Sequence, residues 1–532
     1  MKHYSVTFRP EGACVSVHEG TMLLDAAGHA GIILNAACGG AGTCGKCEVL
    51  LLPDRRRVLA CQYLITSDLV VEVPARSHLF EERILRHGID RKIAICPSIH
   101  EHLPHLRGVA QVFGVAVDIG TTTVVAKLVD MATGECRATA ASSNPQIACG
   151  DDVISRIAYA EHVEGLDALN KAIVGCINNL IDRLTADSGV QSDSIYELTA
   201  AGNTTMTHIL LKYPLAQLGQ APYRAYSTKG VDRKADETGI AINPGGNVHV
   251  IDSIAGFVGS DITAAVIAAG MDEVDAMTLH VDIGTNGEIV LGTKGLMFAA
   301  SCAAGPALGG ARISQGGRAA SGAIESVSML EGGVDIHVDV IGGGCARTIC
   351  GSGLIDAMAV LLDLGIVDST GRLLARAEVQ ARLAPAMLDR IVERNGQPAF
   401  VLAGSEKDGN AVALTQRDIR ETQLAKAAVR AGIVLLQKKL QIRDEDLQQV
   451  LLAGAFGNYI RRESAIRMGL LPNVPLDKVH FIGNAAASGA SMILLSGECR
   501  KLASEIAARV RYVEIAHEPE FQTIFAEAMM FD

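Results

Sequence analysis

The sequence predicts a multidomain chain of mixed class, a small α+β unit followed by a duplicated α/β unit. Three observations carry this expectation. Three cysteines and four glycines crowd into "AACGGAGTCGKCEV" at 36–49. The phrase Asp-Ile-Gly-Thr occurs twice, in "GVAVDIGTTTVVAKLVD" from Gly114 and in "LHVDIGTNGEIVLG" from Leu279. From Val109 onward, apolar β-rich runs alternate with Ala-rich helical stretches, the order of a layered α/β fold.

The bulk composition agrees. A chain of 532 residues is too long for one ordinary domain. Apolar residues make up 49%, with no Trp and only 4% aromatics, so the core is built from Ala, Val, Ile and Leu. A net charge of −12 argues against nucleic acid or an anionic membrane as the main partner. No apolar run approaches the ~18 residues that span a bilayer. The opening "MKHYSVTFRPEG" reads as a strand rather than an apolar leader, so the expected location is the cytoplasm. There, thirteen cysteines are free thiols or metal ligands, not disulfides.

Three segments follow in order. Residues 1–75 hold the cysteine cluster and end in the strand-like "LVVEVP". Residues 76–108 mix charge, His and Pro and read as a connector with one short helix. Residues 109–532 form the α/β unit, and the recurring phrase divides it into halves at about 109–278 and 279–532.

In the first segment, Cys38, Cys44 and Cys47 stand as C-x5-C-x2-C, and Cys61 follows in "VLACQ". Thiolates suit zinc or iron–sulfur clusters. A structural zinc site more often shows two C-x2-C pairs, and only one is present. Gly39, Gly40, Gly42 and Gly45 let a loop wrap a bulky anionic cluster and aim N–H groups at its sulfurs. One thiolate loop plus a distant fourth Cys is ferredoxin-style 2Fe–2S ligation, with zinc or free thiols the competing reading. The preceding "GTMLLDAAGHAGI" fits a short helix capped by Thr21, with Leu23, Leu24 and Ala27 inward. The other nine cysteines form no C-x2-C pair and read as buried or incidental thiols, with Cys345 and Cys350 the one residual metal candidate.

In the second unit, each Asp-Ile-Gly-Thr phrase follows an apolar strand. The turn after Asp118, with Gly120, Thr121, Thr122 and Thr123, exposes N–H groups and hydroxyls suited to phosphate oxygens. Asp118 at the strand end can hold Mg²⁺ through water. The second copy, Asp282 with Gly284, Thr285, Asn286, Gly287 and Glu288, can grip phosphates from the other side. Asp118 and Asp282 are therefore the candidate catalytic carboxylates. No G-x4-G-K-[ST] loop occurs. Gly454 and Gly457 in "VLLAGAFGNYI" allow close approach to a flat ring before a helix near Arg461. Gly351 and Gly353 stand at a helix N-terminus, which favours anions. His102, His105 and His208 read as solvated or core histidines.

The N-terminal stretch resembles the 2Fe–2S ferredoxins with a β-grasp fold, nearer the adrenodoxin spacing than the plant one. The region from about Gly108 to Asp532 resembles the actin, sugar-kinase and Hsp70 superfamily. The implied fold is a β-grasp ferredoxin domain ahead of a duplicated RNase H-like (actin/Hsp70-type) ATPase. That pairing resembles the reductive activators of corrinoid proteins. The phrases "NPQIACGDDVISRI" (144–157), "AGNTTMTHILL" (201–211), "GFVGSDITA" (256–264), "ICGSGLIDAM" and "RDIRETQLAKAAVRAGI" (417–433) are similar to that family. The resemblance implies ATP-dependent reduction of a corrinoid protein of a methyltransferase system, from Co(II) to Co(I). It also implies a 2Fe–2S cluster, ATP and Mg²⁺ as cofactors, a low-potential electron donor and a homodimer. A plant-type cluster sits near about −400 mV, and each 100 mV uphill costs about 2.3 kcal/mol, so a drive is needed. The alternatives are a small-molecule kinase with a redox-sensing domain and a nucleotide clamp without electron transfer. A kinase needs a base, for which Asp261 in "FVGSDIT" is the candidate, against a role as a helix-start cap.

Overall fold

The computed structural model describes residues 2–9, 12–30, 32, 34, 47–74, 93–106, 108, 111–150, 152–284, 286–310, 312–317, 319, 322–454 and 460–531. Cys38, Cys44, Thr285 and Gly457 lie outside the described residues.

The first unit is a mixed sheet of β1 (His3–Arg9), β2 (Cys14–His18), β3 (Glu48–Leu52), β4 (Arg56–Leu59) and β5 (Leu69–Glu72), in the order β2-β1-β5-β3-β4. The two N-terminal hairpin strands join through the parallel pair β1–β5, the β-grasp arrangement. Alternation along β1 buries Val6 and Phe8 against Leu23, Ala26 and Ala27 of the helix Leu23–His29. That inner face is one step wider than the periodicity predicts, and Leu24 is only partly buried. The first helical amide, Leu23 N–H, donates to the Tyr63 carbonyl at 2.8 Å.

The second unit opens with β6 (Phe113–Ile119), β7 (Thr123–Asp130), β8 (Cys136–Ser143), β9 (Ile195–Gly202), β10 (Val231–Lys234) and β11 (Asn247–Val250). They form one sheet in the order β10-β11-β9-β6-β7-β8. The second half begins with β12 (Thr278–Ile283), β13 (Gly287–Thr293) and β14 (Leu296–Cys302). Two small sheets are then inserted. One holds β15 (Ala323–Met329), β16 (Ile336–Val340) and β17 (Thr348–Ile349), the other β18 (Ile391–Arg394), β19 (Gln397–Ala403) and β20 (Val412–Thr415). The half closes with β21 (Gln449–Ala453), β22 (Val479–Gly483) and β23 (Arg511–Tyr512), giving β22-β21-β12-β13-β14-β23. In both halves two parallel neighbours flank the strand that carries Asp-Ile-Gly-Thr, and an antiparallel pair follows on its other side. The repeated phrase is thus the trace of a repeated fold.

Two helices, Ser260–Ala268 and Ala485–Leu495, are packed between the sheets. Their apolar residues share one core with Ala116 and Ala201 of the first sheet and Val290, Leu451 and Ala453 of the second. Their contact is tight: a Cβ on Gly489 would fall 1.9 Å from the Ala264 carbonyl oxygen. The connector expected at 76–108 is only in part a linker. Residues 75–92 lie outside the described residues, but Ile99 and Leu106 are buried in this same core. Cys96 N–H donates to Leu495 O, and Gly497 N–H to Cys96 O, each at 2.9 Å. The short helix expected there is Ile99–His102. Among the described residues no helix is long and apolar enough to cross a membrane.

Candidate functional site

Two sites emerge. The first lies on the N-terminal sheet. Cys47 precedes β3 and Cys61 follows β4, and these strands pair from Glu48↔Leu59. The short Cys47–Cys61 spacing is therefore a hairpin whose two ends meet. Both cysteines are buried, with their Sγ atoms 3.2 Å apart. Two thiolates on one tetrahedral ion, at bonds of about 2.3 Å, stand about 3.8 Å apart. A small side-chain rotation suits this pair to a shared iron. The backbone braces it, with Ala60 N–H donating to the Cys47 carbonyl at 3.0 Å.

The second site lies where the halves face each other. Gly120 N–H donates to Thr123 O at 3.0 Å, closing the first turn, and a Cβ there would sit 2.6 Å from that carbonyl oxygen. In the second turn Gly284 N–H donates to Asn286 O at 2.9 Å. Each turn delivers its aspartate toward the other. Burial pushes Asp118 up to about 6 despite a hydrogen bond from Asn484 Nδ2 to its Oδ2 at 2.8 Å. Burial and the facing charge of Asp118 push Asp282 up to about 7. Asp261 joins them, raised to about 8 by burial and then by Asp118 and Asp282. Glu288, opposite Asp282 on β13, is raised well above the ordinary range by burial and by Asp261 and Asp282. Four carboxylates, two from each half, thus crowd one cleft. Among the described residues no group of three or more His, Cys, Asp or Glu side chains is gathered tightly enough to coordinate a metal ion directly.

Several sequence expectations change in detail. Asp261 is neither a lone base nor an outward cap. It accepts from Ile262 N–H at 2.9 Å while facing the other acids. Gly454 has φ +86, and a Cβ there would lie 2.5 Å from Asp282 Oδ1, so the missing side chain makes room for the Asp282 carboxylate. Gly351 does open the helix Gly351–Asp363, but a Cβ on Gly353 would fall 2.4 Å from Ile324 O. Gly353 is a packing joint against β15. The helix expected near Arg461 is Arg462–Arg467. His208 is buried, which lowers it to about 4, whereas His102 and His105 are exposed. Cys345 is exposed, whereas Cys350 is buried and donates to Ile324 O, so the pair does not converge on a second metal site.

Asn484 was missed by the sequence reading, whereas Glu288 stands in the second phosphate phrase and joins the acids instead of gripping phosphate. A signal for Asn484 was present: Gly202-Asn203 and Gly483-Asn484 both end a strand and cap the next helix.

Comparison with known proteins decides the family. Residues 6–66 match the 2Fe-2S iron-sulfur cluster binding domain, 113–274 the RACo middle region, and 276–532 the C-terminal domain of RACo, the ASKHA domain. The corrinoid activation enzyme RamQ of Eubacterium limosum is 32% identical over 97% of both chains. The chain belongs to the RACo family of reductive activators of corrinoid proteins. A second relative, the [Co(II) methylated amine-specific corrinoid protein] reductase of Methanosarcina barkeri, is 24% identical over 72% of this chain and 70% of its own. A solved structure titled as a reductive activator for corrinoid, iron-sulfur protein superposes with a TM-score of 0.71 at 33% identity, covering 99% of this chain and 98% of that one. The expected fold, a β-grasp 2Fe–2S domain ahead of a duplicated actin/Hsp70-type ATPase, is the fold of this RACo-family chain. The relatives are activators and reductases, which removes the small-molecule kinase alternative.

Proposed function

We propose that this chain reactivates a corrinoid protein by returning its cobalt from Co(II) to Co(I) in a nucleotide-dependent step. The observation that carries this reading is the four-carboxylate cleft, built from both halves and joined to a paired-thiol domain in one chain. Cys38, Cys44, Cys47 and Cys61 are the residues that hold the cluster, of which Cys47 and Cys61 lie close enough to share one iron after a small side-chain rotation. A 2Fe–2S centre there supplies single electrons at low potential.

The turns at Gly120–Thr123 and Gly284–Gly287 hold the phosphates of ATP. Crowded carboxylates with raised proton affinity lack a balancing charge, and Mg²⁺ held through water supplies it. Asp118 and Asp282 face that cation. Asp261 and Glu288 orient water around it. Closing the halves on nucleotide then supplies the free energy for the uphill reduction.

A separate low-potential donor, a homodimer and a cytoplasmic setting rest on the family resemblance and the charge balance. The test is anaerobic mixing of the chain with an oxidised corrinoid protein, a chemical reductant and Mg²⁺-ATP, followed by visible spectra. The Co(I) band is expected only when ATP is present. Equal reduction without nucleotide refutes the reading.

A further inference from the structure

We propose that the buried side chains of Asn144, Gln146 and Arg156, with Asn203, form a positioning frame for the first phosphate turn and set its affinity for phosphate. The proposal rests on the nucleotide reading above. It gives a task to "NPQIACGDDVISRI" and "AGNTT", two phrases that the cleft chemistry does not use.

Three consecutive carbonyls of the turn are held from one side. Asn144 Nδ2 donates to Gly120 O at 2.9 Å. Arg156 Nη2 donates to Thr121 O at 2.6 Å. Asn144 N–H donates to Thr122 O at 2.8 Å. In a planar trans peptide the N–H points opposite the C=O. Drawing Gly120 O toward the frame therefore turns the Thr121 N–H away from it, as a donor for an anion. Asn203 Nδ2 fixes the third element, donating to Thr121 Oγ1 at 2.9 Å.

The frame is rigid. Asn144 is 1% exposed, Gln146 0% and Arg156 0%. Gln146 Oε1 accepts from Arg156 Nη1 and from Asn144 Nδ2, each at 3.2 Å, and its Nε2 donates to Leu169 O at 3.0 Å. Arg156 Nε donates to Gly150 O at 3.0 Å. A guanidinium shielded from water directly behind Thr121 also raises the local potential, which favours a phosphate in front of the turn. Asp152, the carboxylate whose charge Arg156 stabilises, stands at the surface.

The frame acts on phosphate and not on the base, so the test compares ATP with adenosine. Calorimetric titration of the full, cluster-containing chain is run with both ligands on wild type, Arg156→Lys, Arg156→Met and Asn203→Ala. Arg156→Met should weaken ATP by about tenfold or more, as expected for losing a charged donor. Arg156→Lys, which keeps the charge and loses the fork, should recover part of that loss. Adenosine affinity should not change. If Arg156→Met does not fold, Asn203→Ala carries the test, because it removes one bond to Thr121 on a less buried residue. Folded variants with unchanged ATP affinity, or with ATP and adenosine affinities falling together, overturn the frame. Wild-type protein that binds neither ligand overturns the nucleotide reading and the frame with it.

Discussion

Asp261→Asn offers a sharp test of the carboxylate cleft. Asp261 is raised from 3.8 to about 8, first by burial and then by the charges of Asp118 and Asp282. Its folded value lies above its unfolded value, so the native state favours the protonated form. That contribution to stability is full below about pH 4 and is lost as pH rises through about 8. An amide of the same size removes the loss. A gap of about four powers of ten in proton affinity corresponds to about 5–6 kcal/mol at most. Asp261 is partly exposed, so screening reduces the gain to about 1–3 kcal/mol at pH 8. For a unit of this size, that is a rise of roughly 2–6 °C in Tm. The assay is thermal unfolding of wild type and D261N in Mg²⁺-free buffer at pH 5 and pH 8. The D261N advantage should be clear at pH 8 and shrink at pH 5. Saturating Mg²⁺-ATP should stabilise the wild type more than D261N. A D261N protein that melts at or below the wild type at pH 8 without Mg²⁺ would show that these carboxylates do not repel one another.

Three further outcomes follow from the same geometry. Cys47→Ser should abolish the visible absorption and bring iron from about two per chain toward zero, while ATP affinity stays unchanged because the domains have separate cores. Metal analysis with nucleotide titration reads both effects. Gly489→Ala should cost about 2–4 kcal/mol, since its Cβ would meet the Ala264 carbonyl at 1.9 Å and force the two connecting helices apart. Chemical denaturation measures that cost. Asn484→Ala removes the donor that lowers Asp118, so the Asp118 carboxyl should rise above about 6 and the ATPase pH profile should move to higher pH. An unshifted profile would separate Asn484 from the chemistry.

The repeat of Asp-Ile-Gly-Thr announced the two sheets because a duplicated fold keeps its turn chemistry. The cysteine loop was legible for a similar reason, since C-x2-C spacing and clustered glycines are local features. The rest of the cleft is made by tertiary contacts. Asp261 reads as a helix-start acid and Glu288 as a strand acid until the sheets face each other. Gly353 and Gly454 carry the signature of ligand-binding glycines, yet the Ile324 carbonyl and the Asp282 carboxylate are what exclude a side chain. The charged, His-rich connector hides Ile99 and Leu106, whose burial depends on a core assembled by distant helices.

The division of the acids between the halves bears on how nucleotide reaches the cysteine domain. Asp118 and Asp261 belong to the first half, Asp282 and Glu288 to the second, so like charges meet across the cleft. In the proposed function, cation and nucleotide neutralise that repulsion and so favour approach of the halves. Asn484 crosses the divide, capping a second-half helix through Ala487 N–H while donating to Asp118 of the first. The same helix ends at Leu495, where the connector is hydrogen-bonded through Cys96. The N-terminal domain also touches the first half directly, since a Cβ on Gly12 would lie 2.7 Å from the carbonyl oxygen of Asp187, near the end of the helix Gly165–Ser188. The thiol-bearing domain is thus tied to the first half through Gly12 and to the second through the connector. If nucleotide changes the angle between the halves, as the proposed function requires, these ties are where that change reaches the domain of Cys47 and Cys61.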